Sequence, residues 1–240
     1  MIVKNNLLNF KKAFIYQDTE YFKMSMDSML LANFVTVNLR DKNILDIATG
    51  NAPIPMLLTY RTKARIYGVE IQEPVYNLGK VSIYENKMTD QIVLINDDAK
   101  NLVDRFESDI FDVITCNPPY FNTKNKKFEN DNEVKSLARH EKTLNLEDIF
   151  IIARKLLKNN GRLAMVHRTE RFIEIIDKSK KYNFEPKRVR FVYPNYKKNS
   201  DLVLIEFSLN GKSGMKLEQP LYIYDCNGKY TYEVSNMFGE

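Results

Sequence analysis

Cysteine, histidine, glycine and tryptophan are the scarce residues of this 240-residue sequence, with two Cys, two His, eight Gly and no Trp. Two thiols, Cys116 and Cys226, are too few for a disulfide framework or a four-thiolate zinc centre. With only His140 and His167 to add, no metal site is expected. Long apolar runs are also missing. The longest, residues 29–37, is half the length a bilayer requires and is interrupted by Asn33 and Thr36. Residues 1–6 carry neither the apolar core nor the small-residue cleavage site of a secretory leader, so a cytoplasmic location is expected. An apolar fraction of 44% excludes general disorder. The length suits one domain over 1–240, with an N-terminal segment (1–40), a core (41–209) and a C-terminal extension (210–240).

What is present is charge, unevenly placed. The net charge is +5, yet residues 151–200 hold fourteen Lys and Arg against four Asp and Glu. Such clustering is the electrostatic footprint of a nucleic-acid binder, or else a set of solvated helix faces. Charge by itself does not choose between them.

Strand and helix signals alternate through most of the chain. Helical patterns cover 26–39, 53–63, 73–87, 99–106, 146–158 and 170–182. Short β-rich runs lie at 43–47, 65–71, 91–96, 110–116, 162–167, 187–193 and 202–209. Asn159-Asn160-Gly161 reads as a helix stop. A polar stretch, 122–145, has no apolar periodicity and reads as a mobile loop. Seven strands separated by helices predict an α/β fold of the Rossmann-like type, with a mostly parallel sheet covered on both faces. The final pair is joined too closely for a crossover, so the last strand should be antiparallel.

In such a sheet, ligands bind beyond the carboxyl ends of the strands where strand order reverses. Three successive strand ends are acidic: Asp46, in the turn Asp46-Ile47-Ala48-Thr49-Gly50-Asn51-Ala52-Pro53; Glu70, followed by Ile71; and Asp98, followed by Ala99. A carboxylate at Glu70 suits the two hydroxyls of a ribose, and one at Asp98 suits the amine of adenine. Nothing here is provided for phosphate, since Pro53 removes a helix N–H and the acids would repel an anion. The donor set therefore fits S-adenosylmethionine, whose sulfonium and amino groups are cationic. The turn lacks two glycines of the usual D-x-G-x-G-x-G pattern, carrying Ala48 and Ala52 instead. If Ala48 takes a positive φ the strain is on the order of 1–2 kcal/mol. At negative φ its methyl is tolerated.

The most specific feature is Asn117-Pro118-Pro119-Tyr120, directly after the fourth strand. It resembles motif IV of the class I amino-methyltransferases, which act on planar nitrogens. The residue types suit that chemistry. The Asn117 side-chain carbonyl and the Pro118 backbone carbonyl can each accept one N–H of an exocyclic amine, drawing the nitrogen toward sp³ and aiming its lone pair. Pro119 fixes the following turn, and Tyr120 offers a stacking face to an extruded base, worth roughly 1–3 kcal/mol. Transfer is then a matter of positioning, with no general base or metal required.

These motifs, together with Met26-Asp27-Ser28-Met29-Leu30-Leu31, Ala138-Arg139-His140-Glu141 and Gly161-Arg162-Leu163-Ala164, make the chain resemble the bacterial tRNA adenine N6-methyltransferases that modify adenine 37 beside the anticodon of a valine tRNA. The resemblance implies that Asp27 belongs to a segment closing over the methionine part of the cofactor. It implies a tRNA partner; the sequence leaves the oligomeric state open, with a monomer favoured. Candidate RNA contacts are Arg139, His140, Arg168, Arg171, Lys187, Arg188, Arg190, Lys197 and Lys198. Methylation of a protein glutamine or of a ribosomal RNA base uses the same motif and stays open. So does an RNA-binding protein without catalysis.

Overall fold

The computed structural model describes residues 1–8, 13–19, 26–118 and 144–239. Pro119, Tyr120, Arg139, His140 and most of the expected 122–145 loop lie outside these residues. None of the described helices is long and apolar enough to cross a membrane.

The chain opens with a hairpin, β1 (Ile2–Leu8) and β2 (Ala13–Asp18), followed by helix α1 (Met26–Phe34). Then come β3 (Asn43–Ile47), α2 (Pro53–Leu58), β4 (Arg65–Glu70), α3 (Glu73–Glu85), β5 (Ile92–Asn96), α4 (Leu102–Arg105) and β6 (Phe111–Cys116). After the undescribed segment follow α5 (Leu146–Leu156), β7 (Leu157–Arg168), α6 (Phe172–Lys181), β8 (Phe184–Tyr193) and β9 (Leu202–Leu209). Two short strands, β10 (Lys216–Leu217) and β11 (Leu221–Tyr222), and helix α7 (Tyr232–Phe238) complete the chain.

The main sheet runs β10-β8-β9-β7-β6-β3-β4-β5, with β11 also on β8. Its centre, β7-β6-β3-β4-β5, is parallel, and β9 lies antiparallel between β7 and β8. All seven expected strands are present, the last one antiparallel. The count rises to nine in this sheet because β10 and β11 of the extension pair parallel with β8. The β1–β2 hairpin is a second correction, since the N-terminal segment carried no expected strand. Successive strand residues point to opposite faces, and each face has its own core. Ile44, Val113, Ala164, Val166 and Leu204 pack with α1 and α2, while Leu45, Ile114, Leu163, Met165 and Ile205 pack with α5.

Helix α5 starts from a capping box in which Asn145 Oδ1 accepts from the Glu147 and Asp148 amides, and it ends at Leu156. Strand β7 begins at once. The Asn159-Asn160-Gly161 stop is therefore a bulge inside β7, with Asn160 at φ 60°, and not a helix terminus.

Helix α1 has no basic residue in its own last turn. Its C-terminal carbonyls are met instead by arginines from three distant elements. Arg61 donates to Ala32 O. Arg188 donates to Phe34 O (2.9 Å) and to Thr36 Oγ1 (2.7 Å), and Arg162 Nε reaches Thr36 O (3.1 Å). Positive charge at this end also complements the helix dipole.

Candidate active site

Strand order reverses between β3 and β6: β4 and β5 lie to one side, β7 to the other. The loops leaving β3 and β6 flank this switch point, which is where an open α/β sheet binds its ligand.

The loop after β3 has an alternating backbone. Ala48, Gly50 and Ala52 take φ of 55°, 60° and 69°, all left-handed. The glycine-poor turn therefore keeps the conformation of a glycine-rich one, and its two alanines carry the strain. Thr49 between them locks the loop. Its amide donates to Val69 O (2.9 Å) and its hydroxyl to Asp46 Oδ2 (2.6 Å). Gly68 makes room for this side chain, because a Cβ there would stand 2.9 Å from Thr49 Oγ1. Asn51 donates to Tyr16 O (2.7 Å), so the N-terminal hairpin braces the loop from outside. Around Gly50 the space where a side chain would point is open.

Asp46, expected among the cofactor contacts, has both carboxylate oxygens engaged inside the fold. Its carboxylate is fully buried, and its second oxygen accepts from Thr115 Oγ1 (2.6 Å). Burial, assisted by the charge of Glu70, pushes its pKa up to about 7 despite the two hydroxyl bonds. It fastens the loop to β6.

Glu70 bridges the loops. Its Oε2 accepts from the Gly50 amide (3.0 Å) and its Oε1 from the Gln72 amide (2.8 Å). A carboxylate has about four lone-pair sites, so each oxygen keeps one for a further donor. Next to it Ile71 is exposed, an apolar surface at the strand end. Asp98 Oδ1 caps the short turn that follows β5, accepting from the Lys100 amide (2.9 Å), and Ala99 behind it is buried.

Asn117 follows β6 directly and is half-buried, with Pro118 buried beside it. Its Nδ2 donates to Ser28 Oγ (3.1 Å) in the first turn of α1. Asp27, half-buried in the same turn, thus stands next to the residue that touches Asn117. The sequence reading missed Ser28, Thr49 and Thr115. Thr49 lay inside the quoted turn and Ser28 inside the quoted helix start, but only the fold shows what their hydroxyls meet.

Residues 38–212 match the family described as Methyltransferase domain. The chain belongs to that family. Among its relatives is a Flavobacterium psychrophilum protein named tRNA1(Val) (adenine(37)-N6)-methyltransferase, 27% identical over 201 residues, covering 82% of this chain and 84% of the relative. The fold is similar to that of a predicted O-methyltransferase from Agrobacterium tumefaciens, with a TM-score of 0.71 at 18% identity, covering 89% and 95% of the two chains. It is also similar to TrmK of M. capricolum, solved with S-adenosyl-homocysteine, with a TM-score of 0.54 at 18% identity, covering 80% and 72%.

The basic residues of this methyltransferase divide into two groups. Arg188 and Arg190, expected to face RNA, are engaged inside the fold. Arg188 pairs with Glu218 (2.7 Å) and Glu206 (3.5 Å) besides its bonds to α1, and its guanidinium lies 4.4 Å from the Phe34 ring centroid. Arg190 grips Glu233 of α7 with two bonds of 2.6 and 2.8 Å. The +10 of residues 151–200 is thus largely met by acids from other parts of the chain, including Asp41, Asp112 and Glu147. Arg171 pairs with Glu174 three residues on, Lys187 donates to Lys212 O, and Arg168 is half-buried at the end of β7. Lys197 and Lys198 are exposed in the turn after β8. Strands β8 and β11 run parallel to each other, so this turn and Tyr222 leave the sheet at one edge. Because β9 is antiparallel to both β7 and β8, that edge is the one carrying Asn117.

Proposed function

We propose that this methyltransferase moves a methyl group from S-adenosylmethionine to the N6 amine of an adenine in tRNA, adenine 37 of a valine tRNA. The observation that carries the reading is Asn117 with Pro118 at the carboxyl end of β6. They stand at the switch point with the amide nitrogen of Asn117 already engaged by Ser28.

The residues present fit the cofactor. Glu70 has lone pairs to accept from ribose hydroxyls, Ile71 offers an apolar face to adenine, and the open space at Gly50 admits a ligand close to the backbone. Helix α2 starts with Pro53 and has Pro55 two residues on, so two of its first amides are missing and it is a poor seat for phosphate. The cofactor supplies an electrophilic methyl on a cationic sulfur. Asn117 Oδ1 and the Pro118 carbonyl hold the two protons of the adenine amine, so its lone pair faces away from both. No side chain is needed to take the proton before transfer, and the rate comes from orientation.

RNA approaches the same sheet edge. Lys197 and Lys198 meet phosphates, and Tyr196, Tyr222 and Tyr224 beside them are exposed enough to stack on unpaired bases.

The test is incubation with labelled cofactor and total unmodified tRNA, followed by nucleoside analysis. N6-methyladenosine is expected from the wild type. Asn117→Ala should abolish it while cofactor affinity stays within about twofold; unchanged turnover in that variant refutes the reading.

A further inference from the structure

An asparagine amide has nearly the same shape with its oxygen and nitrogen exchanged. What it presents to a substrate is fixed by what its two ends bond to. At Asn117 the presented end matters absolutely: the carbonyl accepts an amine proton, whereas the NH₂ would set donor against donor. The only bond that fixes the amide among the described residues is the one from Nδ2 to Ser28 Oγ (3.1 Å). Among the described residues no donor to Oδ1 is seen, and Oδ1 is the atom the proposed function assigns to the substrate amine.

Ser28 is suited to this task by chemistry and by setting. Its short hydroxyl side chain reaches the Asn117 amide and can bond it without bringing a charge into the site. The side chain is buried, with 4% exposure, so water does not compete for the bond. Its helix is short, but its far end is tied to the body by Arg61, Arg162 and Arg188. Along its length Met29, Leu30 and Leu31 are buried in the core.

We propose that Ser28 is a positioning residue for methyl transfer. It holds the Asn117 side chain in place at the carboxyl end of β6, and the reaction depends on it through Asn117 alone. This inference rests on the proposed function and adds a residue to it.

The experiment compares Ser28→Ala and Ser28→Thr with the wild type and Asn117→Ala. The readouts are kcat, KM for tRNA, cofactor affinity by calorimetry and thermal midpoint. One neutral hydrogen bond lost at the amide should lower kcat of Ser28→Ala about tenfold. KM and cofactor affinity should stay within about twofold and the midpoint within a few degrees. Ser28→Thr, which restores the hydroxyl, should recover most of kcat. A kcat of Ser28→Ala within about twofold of wild type overturns the proposal. So does a loss accompanied by weaker cofactor binding or a lower midpoint, or one that Thr fails to recover, because those mark a packing role. Inactive wild type or active Asn117→Ala removes the proposed function and this inference with it. Active wild type, inactive Asn117→Ala and unaltered Ser28→Ala remove the inference alone.

Discussion

The strain in the cofactor loop can be weighed residue by residue. Ala48 and Ala52 both occupy the left-handed region, which disfavours an L-residue by roughly 1–2 kcal/mol. Replacing either with glycine removes that strain. The gain is offset by the greater freedom of glycine in the unfolded chain, about 0.4–1 kcal/mol. It is offset again by the lost burial of a methyl group, about 0.8 kcal/mol when fully buried. Ala52 is fully buried, so for Ala52→Gly the terms nearly cancel. Ala48 is half-buried and loses less, leaving Ala48→Gly more stable than wild type by about 0.5 kcal/mol. Gly50→Ala runs the other way: it introduces the strain with no packing gain, because its methyl meets nothing within 4 Å. It should lose about 1 kcal/mol of stability and weaken cofactor binding at least tenfold, since that open space is where a ligand approaches the backbone. Urea denaturation midpoints should therefore rank Ala48→Gly first, wild type and Ala52→Gly together, and Gly50→Ala last. Ala48→Gly falling below wild type by more than about 0.5 kcal/mol would show that packing of the methyl, not backbone strain, governs the loop.

Two buried groups give the stability a pH signature. Asp46, raised to about 7, binds a proton in the folded state that the unfolded chain releases near its ordinary 3.8, so its contribution declines as pH rises from about 4 to 7. His167, lowered to about 4 chiefly by burial and then by Arg171, does the reverse: stability is lost as pH falls from 6.5 toward 4. The two oppose each other over that window. In Asp46→Asn the His167 dependence should stand alone, making stability climb more steeply between pH 4.5 and 6.5, by up to about 1.4 kcal/mol per pH unit; parallel curves for variant and wild type contradict this. Arg188→Ala should cost about 2 kcal/mol, or about 4–8 °C in thermal midpoint, between the value of a surface pair and that of a fully buried one. Its effect on tRNA affinity should be small. Lys197→Glu with Lys198→Glu should leave the midpoint in place while lowering tRNA affinity and flattening its salt dependence; an unchanged salt slope contradicts RNA contact at that turn.

The five central strands were legible because parallel strands buried on both faces are short, dense apolar runs, as in the NILDI of β3. The same fact carried a warning about Asp46, since an acid inside such a run is enclosed by the sheet's layers. Hairpin β1–β2 escaped notice because its signal is a short alternation, Ala13, Ile15 and Gln17 pointing inward. Its partners, Ser82 and Asn86 of the α3 region, are some seventy residues away. Arg188 and Arg190 misled for a related reason. Local charge counting sees the arginines, while Glu206, Glu218 and Glu233 arrive from later in the chain. The placement of neighbours in sequence, such as the Asn117-Pro118 pair after β6, could be read; a contact between tertiary partners, such as Ser28 against Asn117, could not.

The position of β9 sets an order of assembly. Strand β8 joins the strands that precede it in the chain only through β9, which follows it. In a chain elongated only as far as β8, β7 therefore lacks the neighbour that covers its edge in the folded protein. Only when residues 202–209 emerge can β8 and β9 pair and dock together, and only then is there an edge for β10 and β11. A chain that stops near residue 200 would keep every residue of the cofactor loop and Asn117, yet would expose a buried-type strand along its whole length. For this fold the last sixth of the sequence is what covers the edge of its middle.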